Sequence, residues 1–386
     1  MRVAIAPDAF KGSLTAAEAA EAIAAGLRQA WPGLETECIP LADGGEGTAE
    51  VWVNARAGSW QTRPCTDPLG RPVTARLGWL DDGRTVLIEA PQAVGLDLLT
   101  AAERNPWLVS SYGLGELIRQ VLDEPKVQTI WLTLGGTATV DGGVGCLQAL
   151  GLLIETSAGQ PVPRGGCGLF QIARVDWSTL PQRLLPNRPD TVELRVACDV
   201  SNPLLGAAGA ARVFGPQKGA APEMVEQLEL GMQNWAAASD RGEIAVKPGA
   251  GSAGGLGFAL QCLGAEFHSG IRCVMDAVNL AERLQQADWA ITGEGRCDRQ
   301  TAGGKVVSGV LQEARAANCP VVVLSGGVDT AAVDELIALG ATAVVAATPA
   351  PGSVEEAMTR AAANLQWSAR NIAGLMRLGQ SFGVSA

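Results

Sequence analysis

RVAIAPDAFKGSLTAAEAAEAIAAGLRQAWPGLETECIPLA, residues 2–42, decides the fold class. RVAIAP (2–7) is a short apolar run ending in proline, which reads as a buried strand. Thr15 followed by Glu18 is a capping box, so a helix starts just after Thr15 and turns its N-terminus toward the loop holding Lys11, Gly12 and Ser13. ETECIPLA (35–42) supplies a second strand, and strand, helix and strand at this spacing make one βαβ unit. The loop is not a P-loop: in G-x-x-x-x-G-K-[ST], Ile5 stands at the first glycine and Phe10 at the second.

The same rhythm returns near the C-terminus. DWAITG (288–293), PVVVLSG (320–326) and ATAVVAATP (341–349) are apolar runs separated by helical patterns at 304–317 and 329–339. A last helix follows the Ser353/Glu356 capping box and runs to about Leu378. Apolar runs of this kind belong to parallel sheets covered on both faces, so the two ends of the chain supply five strands of one doubly wound domain. The middle differs: alternating strands VTARLGWL and TVLIEA, helical patterns at 113–123, 143–152 and 254–264, and strand-like runs at 127–135 and 192–200. The expectation is an α/β protein with 1–60 plus 285–386 as one discontinuous domain and 61–284 as an inserted second α/β domain. Such an arrangement creates a cleft, and ligands of open α/β sheets bind beyond the carboxyl ends of the strands.

Composition narrows the function classes. At 386 residues, with 47% hydrophobic and 18% charged residues, the chain is globular. A net charge of −11 and a pI near 4.8 exclude the broad basic footprint of a nucleic-acid binder. No window approaches 18 uninterrupted apolar residues and the N-terminus carries no basic leader, which predicts a cytoplasmic protein without membrane association. Nine cysteines without a C-x-x-C pair fit reduced thiols. The single histidine, His268, excludes histidine triads and multi-histidine metal sites. Arginine outnumbers lysine 24 to five, and Lys11, Lys218 and Lys305 each adjoin a glycine. A compact ammonium beside closely approaching backbone suits a phosphate or carboxylate.

Several loops after strands carry the residue types of phosphate chemistry. ADGGEGT (42–48) and GGTATVDGGVG (135–145) both contain D-G-G-x-G, at Asp43–Gly47 and Asp141–Gly145. Successive glycines let backbone N–H groups converge on one ligand, while the carboxylate can hold Mg²⁺ or take a hydroxyl proton. ITGEGRCDRQTAGGK (291–305) gathers Glu294, Arg296, Asp298 and Lys305, and the stretch 197–220 offers Asp199, Asn202 and Lys218. One segment points elsewhere: Gly249, Gly251 and Gly254 in PGAGSAGGLG follow the strand-like EIAVKP, with Asp276 about twenty residues on, the outline of a dinucleotide fingerprint. A nicotinamide oxidoreductase is therefore one alternative, and a two-domain protein that binds a small acid or nucleotide without turnover is another. The cluster as a whole suits phosphoryl transfer, which needs positioning, a metal and positive charge more than covalent participation.

APDAFKGSLTA, PLADGGEGT, GGTATVDGGVGCLQALG, ACDVSNPL, FGPQKGA, PGAGSAGGLG and ITGEGRCDRQT, in that order and across nearly the whole chain, resemble the bacterial glycerate kinases of the glycerate 2-kinase type. The resemblance implies phosphorylation of D-glycerate by ATP with Mg²⁺ to give 2-phosphoglycerate, and a flavodoxin-like domain carrying an inserted α/β domain. It implies that Lys11 and Ser13 grip the glycerate carboxylate or a phosphate, and that Asp43, Asp199 and Asp298 hold Mg²⁺ or take the hydroxyl proton, with Asp199 preferred as base. Lys218 and Lys305 would neutralise phosphoryl oxygens. Lys11, Asp199, Asp298 and Lys305 are the expected catalytic set. Asp8, Gly44, Gly45, Glu46, Gly47, Thr137, Asp141, Gly142, Glu294 and Arg296 would complete the substrate and phosphate contacts. Two positions depart from the family pattern: Val140 stands where asparagine is usual, and Leu114 where threonine is common.

Overall fold

The structure, a computed structural model, describes residues 1–45, 47–186, 188–298, 301 and 306–381. It divides into two compact units, Met1–Asp43 with Ile271–Ala386 and Gly44–Gly270.

In the first unit five strands run parallel, in the spatial order Ala341–Ala346, Val321–Ser325, Trp289–Thr292, Arg2–Ile5, Glu35–Cys38. Numbered along the chain this is 2-1-3-4-5, the flavodoxin-like order. Val3, Ala4 and Ile5 are fully buried, as a central strand covered on both faces requires, and the strand registers Val3 against Trp289 and Ile5 against both Ile291 and Cys38. The strand order reverses beside Arg2–Ile5, so the loops after it and after Trp289–Thr292 flank the switch point where open sheets bind ligands. The helix Ala16–Ala30 forms behind the expected capping box of Thr15 and Glu18. It buries Ala19, Ala20, Ile23, Ala24 and Leu27, one stripe at helical spacing. Its Gly26 lets the C-terminal helix approach: a Cβ there would lie 2.1 Å from the Gln366 carbonyl oxygen. The expected single last helix is two, Val354–Thr359 and Ala361–Ser381, because Arg360 leaves helical geometry at ψ 12° and caps the first of them through its N–H.

The second unit holds a six-stranded mixed sheet in strictly sequential order: Ser59–Thr66, Pro72–Leu80, Thr85–Glu89, Thr129–Thr133, Glu193–Ala197, Glu266–His268. The first three strands are an antiparallel meander and the rest join in parallel. One face, with Val86, Ile88, Ile130, Leu132, Leu194 and Val196, meets the helices Tyr112–Leu122, Val144–Ala149 and Ser252–Cys262 in a single apolar core. Leu114 and Val140 are both fully buried in that core, so each departure from the family pattern is a packing position. The opposite face carries Trp131, packed edge-on against Trp52 of the helix Thr48–Ala55 with ring centroids 4.9 Å apart.

The boundaries expected at 60/61 and 284/285 differ from these units for local reasons. The helix Thr48–Ala55 is tied to the second unit by Trp52 and by Glu89 Oε1, which accepts the Ala49 N–H at 3.1 Å. The stretch 271–284 belongs with the first: Met275 lies against Gly309, whose added Cβ would sit 2.5 Å from the Met275 Cε, and Arg283 pairs with Glu37 at 3.4 Å.

Candidate active site

In the first unit the parallel ladder continues past the strands and draws three loops side by side. Ala6 N–H donates to Ile291 O at 2.7 Å, Asp8 N–H to Gly293 O at 2.8 Å, and the buried Thr292 hydroxyl to Ala6 O at 2.8 Å. On the other flank Ile39 N–H donates to Ile5 O and Leu41 N–H to Pro7 O, leading the chain to half-buried Asp43.

The Lys11 loop is a small closed ring. Phe10 is 2% exposed and anchors it; Phe10 and Leu14 exchange backbone hydrogen bonds of 2.9 and 3.0 Å, and the Ser13 hydroxyl donates inward to Phe10 O at 2.8 Å. Gly12 takes φ +78°, and Lys11 at the tip is exposed. Ser13 therefore shapes the turn that presents the lysine. Asp8 Oδ1 accepts the Ala9 N–H at 2.7 Å, which fixes its carboxylate at the loop's base.

The adjoining loop carries Glu294, Arg296 and Asp298. Glu294 O accepts from the Ser325 hydroxyl and from Gly326 N–H, and Arg296–Cys297 pair with Gly327–Val328 as a short parallel ribbon. Asp298 N–H donates to the Thr301 hydroxyl at 2.9 Å, while Thr301 N–H donates back to Asp298 O. Arg296 is exposed and Asp298 half-buried. Cys297 lies beneath, its thiol pushed up to about 12 by burial, so it stays protonated and is no nucleophile. Lys11, Arg296, Glu294 and Asp298 thus sit on neighbouring loops at the switch point. Lys305 and Glu46, both expected at the site, lie outside the described residues.

In the second unit Asp199 follows the strand Glu193–Ala197 and is exposed, with Oδ1 accepting the Gly270 N–H at 3.0 Å. Gly44 and Gly45 pack on the ends of neighbouring strands. A Cβ on Gly44, at φ +88°, would lie 2.6 Å from the Gly270 Cα, and one on Gly135 would lie 3.1 Å from the Gly45 Cα. Gly47, at φ +83°, precedes the helix Thr48–Ala55 as its N-cap. Gly270 and Gly135 were not singled out from sequence; their only signal is a glycine two residues past the end of a strand.

Asp141, Gly142 and Lys218, expected as ligand contacts, are buried in this structure. Asp141 is fully buried, and its carboxylate accepts from Ser111 N–H (2.8 Å), the Ser111 hydroxyl (2.9 Å), the Ser110 hydroxyl (3.3 Å), Gly143 N–H (3.1 Å) and Gly145 N–H (3.3 Å). Burial holds its pKa above the ordinary carboxylate range against the pull of these donors. Gly142 is buried with its carbonyl taken by Trp235 Nε1 at 3.0 Å. Asp141–Gly145 is a folded knot that starts the helix Val144–Ala149, in which the carboxylate accepts the N–H groups of Gly143 and Gly145. Lys218 is 4% exposed; Nζ donates to Thr137 Oγ1 at 3.2 Å and to Thr139 O at 2.9 Å, and burial lowers its pKa to about 7.

The G-x-G-x-x-G run also finds a packing role. EIAVKP is not a strand but part of the 3-10 turn Gly242–Val246, so the fingerprint lacks its leading strand. Added Cβ atoms would lie 2.1 Å from Pro203 O at Gly251, 1.9 Å from Thr139 O at Gly254 and 2.1 Å from Gly249 O at Gly257. The glycines let three backbone segments touch, and in doing so they brace the loop that carries Asp199.

Among the described residues no three His, Cys, Asp or Glu side chains form a metal-binding group. Mg²⁺ bound with phosphates needs only one or two protein carboxylates, and in the first unit Asp43 and Asp298, each half-buried on a strand-end loop, are of the residue type and exposure such a donor needs.

A 2-1-3-4-5 sheet with lysine, arginine and carboxylates at its switch point, joined in one chain to a second α/β unit with a carboxylate and close-packed glycines at its strand ends, defines a two-unit α/β protein. The model of the glycerate kinase family matches residues 3–377. Among curated proteins the chain is 41% identical to the glycerate kinase of Bacillus subtilis (strain 168), covering 99% of each, and 41% identical to the glycerate 2-kinase of Escherichia coli (strain K12), covering 98% of this chain and 99% of that one. A crystal structure of a protein described as a glycerate kinase 2 from Salmonella typhimurium LT2 superimposes with a TM-score of 0.83 at 41% identity, over 98% of this chain and 99% of that one. The chain belongs to the glycerate kinase family, an assignment that favours neither the binding-protein nor the nicotinamide alternative. No helix among the described residues is long and apolar enough to cross a membrane.

Proposed function

We propose that this protein transfers the γ-phosphoryl group of MgATP to the 2-hydroxyl of D-glycerate, giving 2-phosphoglycerate and ADP. The observation that carries the reading is the set of exposed or half-exposed charges at strand ends, Lys11, Arg296, Asp298 and Asp199, in a chain of this family. The glycerate oxygen bonds to the γ-phosphorus as the bond from that phosphorus to the bridging oxygen of ADP breaks, and the hydroxyl proton passes to a carboxylate. Asp199 is that base: exposed, and held in orientation by the Gly270 N–H. Lys11 binds the substrate carboxylate or a phosphoryl oxygen, from a ring that Phe10 and Ser13 keep rigid. Arg296 offers positive charge to the transferring group. Mg²⁺ would neutralise phosphate charge, with Asp43 and Asp298 as the residues that would hold it.

The test is ADP release from MgATP with D-glycerate, with the phosphorylated carbon read by ³¹P and ¹³C NMR. A 2-phosphate product supports the reading. A 3-phosphate refutes its regiochemistry, and stabilisation by glycerate without ADP release refutes turnover.

A further inference from the structure

Lys218 closes the short 3-10 turn Pro216–Lys218. Gly219 after it takes φ +98° and has no room for a Cβ, which would lie 2.1 Å from the Arg104 carbonyl oxygen. That fixed turn directs the lysine inward. A buried ammonium is costly unless its donors are matched, and here the match is the Thr137 hydroxyl and the Thr139 carbonyl, with the Asp141 carboxylate as the nearby opposite charge. Both partners lie on the segment leaving the strand Thr129–Thr133. The other flank of that segment is held by Leu96 N–H to Gly136 O and Ala138 N–H to Val94 O, each 2.8 Å. Gly135 and Gly136, at the start of the anchored segment, are exposed, and Gly135 is the floor on which Gly45 rests.

We propose that Lys218 is a positioning residue for the phosphoryl transfer: through Thr137 and Thr139 it fixes Gly135–Gly136, and through them the Gly44–Gly45 turn at the substrate site. The inference rests on the kinase reading, and it replaces the expectation that this lysine meets phosphate directly. A buried amino group whose acceptors Thr137 Oγ1 and Thr139 O both lie on one loop segment determines where that segment stands. In a reaction catalysed chiefly by positioning, a displacement of about 1 Å costs on the order of a hundredfold in rate.

The test compares K218M, T137V and the double variant in the full-length enzyme by steady-state ADP release, with hydrogen exchange of the Gly135–Ala138 amides read by mass spectrometry. Positioning predicts that K218M and T137V each lower kcat by roughly 10- to 100-fold while KM for both substrates stays within about threefold. The double variant is then no worse than the poorer single one, and T137S, which keeps the acceptor oxygen, recovers most of the T137V loss. Exchange at Gly135–Ala138 quickens at least about tenfold in K218M. Additive losses overturn the proposal, as does a K218M defect confined to the KM for ATP, which marks direct phosphate contact. A wild-type kcat in T137V overturns it even where K218M fails to fold. The wild-type rate with D-glycerate tests the kinase reading separately, and unchanged exchange in K218M overturns the positioning role whatever the rates do.

Discussion

Replacing Gly254 by alanine is the most direct test of the glycine run as packing. Gly254 sits at φ +68°, where an L-residue pays roughly 1–2 kcal/mol. The new Cβ would lie 1.9 Å from Thr139 O and 2.8 Å from the Val140 Cα, both backbone atoms, so relief requires the chain itself to move. Forcing a methyl into such a site costs about 1–3 kcal/mol more. The total of about 2–5 kcal/mol is a large part of the ~5–15 kcal/mol that stabilises a typical protein. For a unit of this size it lowers the melting temperature by roughly 4–20 °C. Gly33→Ala is the control: it has negative φ and nothing within 4 Å, and is expected within about 0.5 kcal/mol of wild type. Urea and thermal unfolding of both variants provide the assay. A Gly254→Ala protein that melts within 2 °C of wild type refutes the packing argument.

Asp199→Asn is expected to lower kcat at least about a hundredfold with an unchanged melting temperature, because the residue is exposed and its loss removes the proton acceptor; near-normal turnover removes it from the role of base. Asp141→Asn should do the reverse. One backbone N–H at least is left facing an amide donor, at about 1–3 kcal/mol, and Lys218 loses its nearby charge, so stability falls first. Unaltered unfolding with a specific rise in KM would mark Asp141 as a ligand group instead. Lys218 also sets a pH dependence. Its folded pKa is lowered to about 7 by burial whereas the unfolded chain holds the proton up to about 10.5, so between those values the unfolded state binds more protons and stability rises with pH. Unfolding free energies measured from pH 7 to 10 should show that slope in wild type and lose it in K218M.

The first strand, the capping boxes at Thr15 and Ser353 and the strands at 289–292, 321–325 and 341–346 were legible because each is a local pattern: a short apolar run, or two side chains three residues apart. Side-chain direction was not legible. D-G-G-x-G at 43–47 and at 141–145 look alike in sequence, yet the second is filled by Ser110 and Ser111 from thirty residues earlier. Lys11 and Lys218 both adjoin glycine, and only the fold decides that one is exposed and the other enclosed. EIAVKP misled because a short apolar run, Ile244–Val246, fits a 3-10 turn as well as a strand.

The sheet order of the first unit has a consequence for synthesis. Its strand Arg2–Ile5 pairs with Trp289–Thr292, so after the first two strands leave the ribosome about 230 residues of the second unit intervene before the third appears. At 5–20 residues per second that is a wait of roughly 10–45 s. The second unit, contiguous and with strands paired in sequential order, can complete its sheet in that interval. The Arg2–Ile5 strand meanwhile presents an apolar open edge, the kind of surface that invites pairing with another chain. The exposure of that edge lasts until Trp289–Thr292 is made, so the sheet order places the chain's most association-prone stage on the ribosome rather than in the finished fold.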